Sequence, residues 1–384
     1  MHIANLKSEF KRRFGSECRI FRAPGRVNLI GEHTDYNDGF VMPVAIAFDT
    51  FVACAETDDG KLSVQSLQEP QTAQFPLRES NARPLGNWTD YVRGVVLQLE
   101  RQGCTFRGAN LLADGHVPIG AGLSSSAALE VASALALLDV SAGPLDRTAV
   151  AALCQRAENE FVGSRCGIMD QFASLFSRPG QALLLDCRSL EVRFISIPHG
   201  ASLVICNTMV KHSIAGGEYN LRRAECESAV QYFAQHRSGV NALRDVTDND
   251  LMQHGRGLTS TLFRRSRHVV AENARVLAAA DALESGDLHA FGQLMYESHR
   301  SLQNDFEVSC RELDIMVELA ADIPGNYGSR MTGGGFGGCT INMVAKEMAK
   351  QFAERITSDY QSATQIRPTV YITGAAKGAG SAGS

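Results

Sequence analysis

The thirteen residues Pro118-Ile119-Gly120-Ala121-Gly122-Leu123-Ser124-Ser125-Ser126-Ala127-Ala128-Leu129-Glu130 compress two glycines, three consecutive serines and the start of an apolar run into one turn. Glycine accepts φ > 0 and lets a backbone lie close to a ligand. From Ala127 to Leu138 nearly every residue is an apolar helix former, which predicts a helix starting near Leu123 or Ser124 and buried on most sides. Its first N–H groups have no partner inside the helix. With the positive end of the helix dipole and the three hydroxyls, they suit phosphate oxygens. Gly120, Ala121, Gly122, Leu123, Ser124, Ser125 and Ser126 therefore read as a cradle for a nucleotide triphosphate. The competing reading is a helix capped by serine after a glycine turn.

Two other glycine motifs fail here. A P-loop needs a lysine before its hydroxyl residue, and this turn has none. A dinucleotide fingerprint fits Gly120 and Gly122 but meets Ser125 at its third position, and Asp139, about 20 residues on, falls at the end of the same helix. Asp114-Gly115 and Pro118 also interrupt the run that should form the preceding strand.

At 384 residues and 44% hydrophobic, the chain can bury a large core and is expected to form two domains, 1–200 and 201–384. A net charge of −5 with both signs mixed carries no footprint for nucleic acid. The basic clusters Lys11-Arg12-Arg13, Arg222-Arg223 and Arg264-Arg265 read as solvated helix faces. Ten cysteines without a C-x-x-C pair, an N-terminus without an apolar signal core and the lack of a membrane-length apolar run predict a reduced cytoplasmic protein away from membranes. A monomer is expected.

Further candidates lie along the chain. A strand running through Arg22-Ala23-Pro24 opens at Gly25-Arg26-Val27-Asn28-Leu29-Ile30-Gly31-Glu32-His33-Thr34-Asp35-Tyr36-Asn37-Asp38-Gly39 into a loop dense in acceptors. Carboxylates beside an arginine suit a polyhydroxylated ligand, because each hydroxyl can donate to one. Asp38 fits turn duty; Glu32 and Asp35 fit binding. Trp88, the chain's one tryptophan, reads as core packing or as a platform for a base. The apolar stripe predicted for a helix from Leu145 to Phe161, begun by Pro144 and Asp146, puts Glu158 at the edge of the core. There it needs a magnesium ion shared with Ser126, or an ion pair. Asp170, among Ile168, Met169 and Phe172, suits a general base or a helix N-cap. Tyr219 offers a hydroxyl to a ligand or buries its ring. Five glycines in Gly333-Gly334-Gly335-Phe336-Gly337-Gly338 mark a close backbone approach to a ligand or to the other domain. The tail from Ala375 is small and Gly/Ser-rich, which predicts mobility at its end.

The acidic loop at 25–39, the serine turn at 118–130 and the Thr-Gly turn at 331–339, in this order, resemble the GHMP kinase superfamily, named for its galacto-, homoserine, mevalonate and phosphomevalonate kinases. The unbroken stretch from Gly25 to Gly39 looks like the galactokinase signature, and the resemblance runs from about residue 8 to about 378. It implies an α+β fold with an N-terminal domain like ribosomal protein S5 domain 2 and a ferredoxin-like C-terminal domain. It implies transfer of the γ-phosphoryl of ATP to O1 of α-D-galactose, the first committed step of the Leloir pathway. By the same resemblance Arg26 would stabilise transition-state charge and Asp170 would accept the proton of the anomeric hydroxyl. Glu32, His33, Thr34, Asp35 and Tyr219 would hold the sugar. Gly120 to Ser126 would cradle the phosphates, Ser126 and Glu158 would hold Mg²⁺, and Thr332 to Gly338 would close over both substrates. Regulatory relatives that bind without phosphorylating lose the Ser-Ala pair; here Ser126-Ala127 is intact. A kinase for N-acetylgalactosamine or another close sugar is the remaining alternative.

Overall fold

Alternation of apolar and polar residues after a short amphipathic helix builds a twisted sheet with helices on both faces. The computed structural model describes residues 2–79, 81–141, 145–211 and 215–383. In chain order its first half carries α1 (His2–Phe14), β1 (Arg19–Asn28), β2 (Phe40–Val41), β3 (Pro43–Glu56), β4 (Lys61–Ser66), β5 (Ala73–Pro76), α2 (Thr89–Arg101), β6 (Ala109–Gly115), α3 (Ser125–Asp139), α4 (Arg147–Arg156), α5 (Met169–Phe176), β7 (Gln181–Asp186) and β8 (Val192–Ser196). The second half carries β9 (Ala201–Lys211), α6 (Ala215–His236), α7 (Asp248–His254), α8 (Ser260–Ser285), α9 (Leu288–Ser301), α10 (Arg311–Ala321), β10 (Asn326–Thr332), β11 (Gly337–Ala345), α11 (Ala349–Thr364), β12 (Thr369–Thr373) and β13 (Gly380–Ala382).

The six-stranded sheet has the order β13-β1-β3-β6-β4-β5. Side chains alternate across it. Val52, Cys54 and Leu111 face the core built with α2 to α5, while Ala53 and Leu112 face Leu6 and Phe10 of α1. Strand β6 runs through Asp114 and Gly115, so these residues do not interrupt it as expected. Its pairing excludes a dinucleotide fold instead: β6 is antiparallel to β3 and parallel only to β4. A register shift in β1 between Pro24 and Arg26 lets the strand touch the serine turn. A Cβ on Gly25 would come within 2.6 Å of the Leu123 carbonyl oxygen.

The second sheet has the order β10-β11-β9-β12, the arrangement of a ferredoxin-like domain, with α10 and α11 on one face. Its other face presents Leu203, Ile205, Ile341 and Met343 to α8 and α9, and the same cluster takes in Val27, Leu29 and Val44 from the first half. A small sheet, β2-β7-β8, lies between.

Several expectations change. The tail, expected to be mobile at its end, pairs as β13 as far as Ala382, with Phe21 opposite Ser381 on β1, while residue 384 lies outside the described residues. Arg222 and Arg265 are buried, not solvated: Arg222 Nε donates to the Phe306 carbonyl at 2.8 Å and Arg265 Nε to Glu225 at 2.7 Å. The helix expected to run through Phe161 is α4 followed by a π-helical turn, Ala157–Val162, and Pro144 lies outside the described residues. Helix α6, which carries Tyr219 and Arg222, starts at Ala215, and 212–214 lie outside the described residues. Among the described residues no helix is long and apolar enough to cross a membrane.

Candidate active site

Gly120 and Gly122 take φ of 69° and 74°, and Ser124 follows in the left-handed region at 60°. Ser124 makes no capping hydrogen bond to α3, which removes the serine-cap reading. Its hydroxyl points away from the helix and donates to Asp170 Oδ2 at 2.5 Å. Asp170 is the second residue of α5, whose N-cap is Ile168, so it is not the N-cap either. Arg26, buried at the β1 bulge, donates from Nε and Nη2 to the two oxygens of Asp170 at 2.8 and 2.9 Å. Its Nη1 reaches the Gly122 carbonyl at 2.7 Å, and its backbone N–H the Leu123 carbonyl at 3.1 Å. One arginine thus ties strand, serine turn and carboxylate together.

Arg26 and Asp170 line a cavity of about 190 Å³ with Glu32, His33, Asp35, Glu158 and Tyr219, joined by Gly333 and Gly334 of the second half. Asp35 fits only because residue 167 is glycine: a Cβ there would fall 2.0 Å from Asp35 Oδ2. Burial, then the charge of Asp170, push the Asp35 carboxyl up to about 6. Burial holds the His33 imidazole down at about 3, so it is neutral. Its Nδ1 lies 2.9 Å from the Tyr36 hydroxyl, while Nε2 has no partner of ordinary hydrogen-bond geometry. Glu32 accepts from the Gly333 N–H at 2.6 Å, from Arg330 at 3.0 Å and from the Asn28 amide. Burial raises its carboxyl against the pull of Arg330. Thr34, expected with the sugar-binding group, is not in the cavity. It is fully buried, and its hydroxyl faces the Gly31 and Phe40 carbonyls, closing the turn.

The phosphate-loop residues divide. Gly120, Ser125 and Ser126 line a second cavity of about 550 Å³, with Trp88 and Tyr91 on its wall. The Ala121 and Leu123 side chains are buried in the core, leaving only their backbone for a ligand. Trp88 is half-buried and packs partly on the core, so its two readings meet at one place. Ser126 Oγ lies 3.3 Å from Glu158 Oε1, and Gln171 donates to Glu158 at 3.2 Å and to Glu130 at 3.3 Å. Burial, then the charge of Asp170, raise the Glu158 carboxyl; burial, then the charge of Glu158, raise that of Glu130. Glu160 points away to Gln98 and Arg101. The second glycine turn makes its close approach to the first: a Cβ on Gly333 would sit 2.8 Å from the Gly122 carbonyl oxygen, and one on Gly338 3.0 Å from that of Ala121.

Comparison with known proteins follows the same lines. Residues 8–56 match the galactokinase galactose-binding signature, 90–178 the GHMP kinase N-terminal domain and 279–362 the GHMP kinase C-terminal domain. A galactokinase of Chloroflexus aggregans is 47% identical over 97% of this chain and 96% of its own length. The chain belongs to the galactokinase family. A second galactokinase, from Chloroflexus aurantiacus, is 46% identical over the same shares. The crystal structure of Lactococcus lactis galactokinase complexed with galactose superposes with a TM-score of 0.95 at 33% identity, covering 99% of this chain and 100% of that one. The galactokinase signature spans Arg26 to Asp35, and the N-terminal GHMP match spans the serine turn, Glu158 and Asp170. Sequence reasoning missed Ser124 as a partner of Asp170, Gly167 as room for Asp35, and Asn28 and Arg330 as partners of Glu32. Asn28 lay inside the acidic-loop motif and Arg330 immediately before the Thr-Gly turn, but neither their burial nor their direction is written in residue type.

Proposed function

We propose that this chain is a galactokinase that transfers the γ-phosphoryl of ATP to O1 of α-D-galactose, giving α-D-galactose 1-phosphate and ADP. The observation that carries the reading is the Arg26–Asp170 pair, which lies where the acid-lined cavity meets the serine turn. Galactose enters the smaller cavity. Asp35, Glu32 and the Tyr219 hydroxyl accept or share its hydroxyl protons, and the neutral His33 ring lines the same wall. Asp170 takes the proton of O1 as that oxygen attacks phosphorus. Arg26, bonded to Asp170 and to the Gly122 carbonyl, spans acceptor and phosphate and stabilises the charge that develops between them. ATP lies in the larger cavity, its base at Trp88 and Tyr91 and its phosphates on the free N–H groups and hydroxyls at Ser125 and Ser126.

A divalent cation fits beside them. Ser126 and Glu158 present adjacent hard oxygens, and Glu158 is buried with a second carboxylate, Glu130, behind it and, among the described residues, no cationic side chain bonded to it. Bound Mg²⁺ would neutralise phosphate charge. We also divide the chain near residue 200, the first unit supplying the serine turn and acid loop and the second Tyr219 and the glycine turn. We further propose a monomer acting in the cytoplasm, the latter in keeping with ten cysteines that form no disulfide.

The test is a coupled ADP-release assay with ATP, Mg²⁺ and a panel of sugars. Turnover should require galactose. Preference for N-acetylgalactosamine, or no turnover with any hexose, would overturn the reading.

A further inference from the structure

Glu32 is the cavity-facing end of a longer array. Arg330 is fully buried, lines neither cavity described above, and donates from Nη1 to Glu32 Oε2 at 3.0 Å and to the Asn28 carbonyl at 3.1 Å. Its Nε donates to Ser298 Oγ at 3.2 Å. The Ser298 hydroxyl in turn donates to Glu272 Oε1 at 2.5 Å. That same oxygen accepts the N–H of Gly31, the residue before Glu32, at 3.0 Å. Glu272 Oε2 accepts from Arg275 Nε at 2.7 Å. Four charges of alternating sign, Glu32, Arg330, Glu272 and Arg275, therefore run from the cavity through the core to the outer side of α8.

The segment carrying Glu32 is held at several points, and two of them, the bonds from Glu272 and Arg330, meet at Ser298. Glu272 fixes the backbone at Gly31, and Arg330 fixes the Glu32 carboxylate. Gly31 has φ of 102°, and a Cβ would come within 2.7 Å of the Phe40 carbonyl oxygen, so the turn is already packed against its neighbour. Burying two ion pairs seldom stabilises a fold more than apolar packing would, because each charge loses its hydration. What charge-assisted bonds supply is direction. Here they act on a single carboxylate, the one that faces the cavity.

We infer that Arg330, Ser298 and Glu272 are positioning residues of the sugar site: without touching sugar, they aim Glu32 and so set affinity and selectivity for the hexose. The inference rests on the reading of Glu32 as a sugar ligand. None of the three touches the cavity at Ser125 and Ser126, so their removal should weaken the sugar's interactions and leave those of ATP in place.

The full-length enzyme is compared with Ser298→Ala, Arg330→Lys, Glu32→Gln and the double variant Ser298→Ala/Glu32→Gln. The readouts are the KM values for galactose and ATP, kcat, the rate ratio of galactose to its C4 epimer, and galactose affinity by calorimetry. Glu32→Gln should raise the galactose KM about tenfold, the cost of one charge-assisted hydrogen bond. Ser298→Ala, which removes one small buried hydroxyl, should raise it about fivefold and narrow the epimer ratio, with the ATP KM within about twofold of the parent. The double variant should be no worse than Glu32→Gln, because both changes act through one carboxylate. If Arg330→Lys does not fold, Ser298→Ala carries the test alone. A raised galactose KM in Glu32→Gln with an unchanged one in Ser298→Ala defeats the inference and leaves the sugar site standing, as do effects that multiply in the double variant. An unchanged galactose KM in Glu32→Gln defeats the reading of Glu32, and the inference with it.

Discussion

Asp170 is gripped on both oxygens, by Arg26 Nε and Nη2 and by Ser124 Oγ, and still reaches the cavity. Such a carboxylate is oriented to receive a proton from one direction. Asp170→Asn keeps size and shape but cannot accept that proton, so kcat should fall by about 10²–10⁴ while galactose affinity, measured by calorimetry, stays within a few-fold of the parent. Near-normal turnover with both substrates bound would remove Asp170 from the chemistry. Its sheltered placement was legible in part, because apolar neighbours on a short helix suggested a carboxylate in partly apolar surroundings. The partnership with Ser124 was not, since it depends on a left-handed backbone that only the folded turn imposes. His268 shows a second effect at this scale. Burial, opposed by Glu272 and aided by Arg275, lowers its imidazole from 6.5 to about 4, and its Nε2 lies 3.1 Å from the Glu32 carbonyl. The folded chain keeps this ring neutral while the unfolded chain protonates it. The stability it contributes is therefore complete above pH 6.5 and is lost as pH falls toward 4, on the order of 3 kcal/mol in all. His268→Gln should accordingly show a shallower fall of melting temperature between pH 6.5 and 4 than the parent. Parallel curves would refute it.

At the scale of elements, the site is assembled where two glycine turns touch back to back. Gly333 has φ of 86° and no room for a Cβ beside the Gly122 carbonyl, which itself accepts from Arg26. Gly333→Ala should cost about 1–3 kcal/mol of stability through backbone strain and contact. It should also raise the KM for ATP several-fold by displacing the serine turn. An alanine variant with the parent's melting temperature and ATP KM would mean that the turns separate freely. The two turns were legible as close approaches, but not that each is the other's neighbour. The helix expected to start near Leu123 or Ser124 does so, as α3 from Ser125, because its run of apolar helix formers is long and unbroken. Strand β10 does not announce itself, because Ser329 and Arg330 are polar residues buried for their hydrogen bonds, not for their hydrophobicity. The π-helical turn that carries Glu158 keeps helical composition while changing pitch, so periodicity misses it too.

At the scale of the whole molecule, the chain's last strand belongs to its first sheet. Beyond β12 the backbone crosses back: Ala376 N–H donates to the Ala45 carbonyl at 2.8 Å, Gly378 N–H to that of Ser177 at 2.8 Å, and Ala379 N–H to that of Ser174 at 2.7 Å. Arg147 joins the same junction, donating to the carbonyls of Leu175 and Ala379 at 2.7 and 3.0 Å. A composition of glycine, alanine and serine gives no sign of this, because the contacts are made almost wholly by backbone, and small residues are what allow it: a Cβ on Gly378 would lie 2.5 Å from the Leu175 carbonyl oxygen. The junction clamps the C-terminal end of α5, the helix whose first turn carries Asp170. Removing residues 375–384 should thus do more than trim a tail. It exposes the β1 edge and frees the end of α5, and the melting temperature should drop by several degrees. The loosened helix should lower kcat more than it raises either KM, because the proton-accepting role proposed for Asp170 depends on where α5 holds it while the cavity walls stay in place. A truncated enzyme that melts and turns over like the parent would show that β13 is dispensable and that α5 is held by its own packing alone.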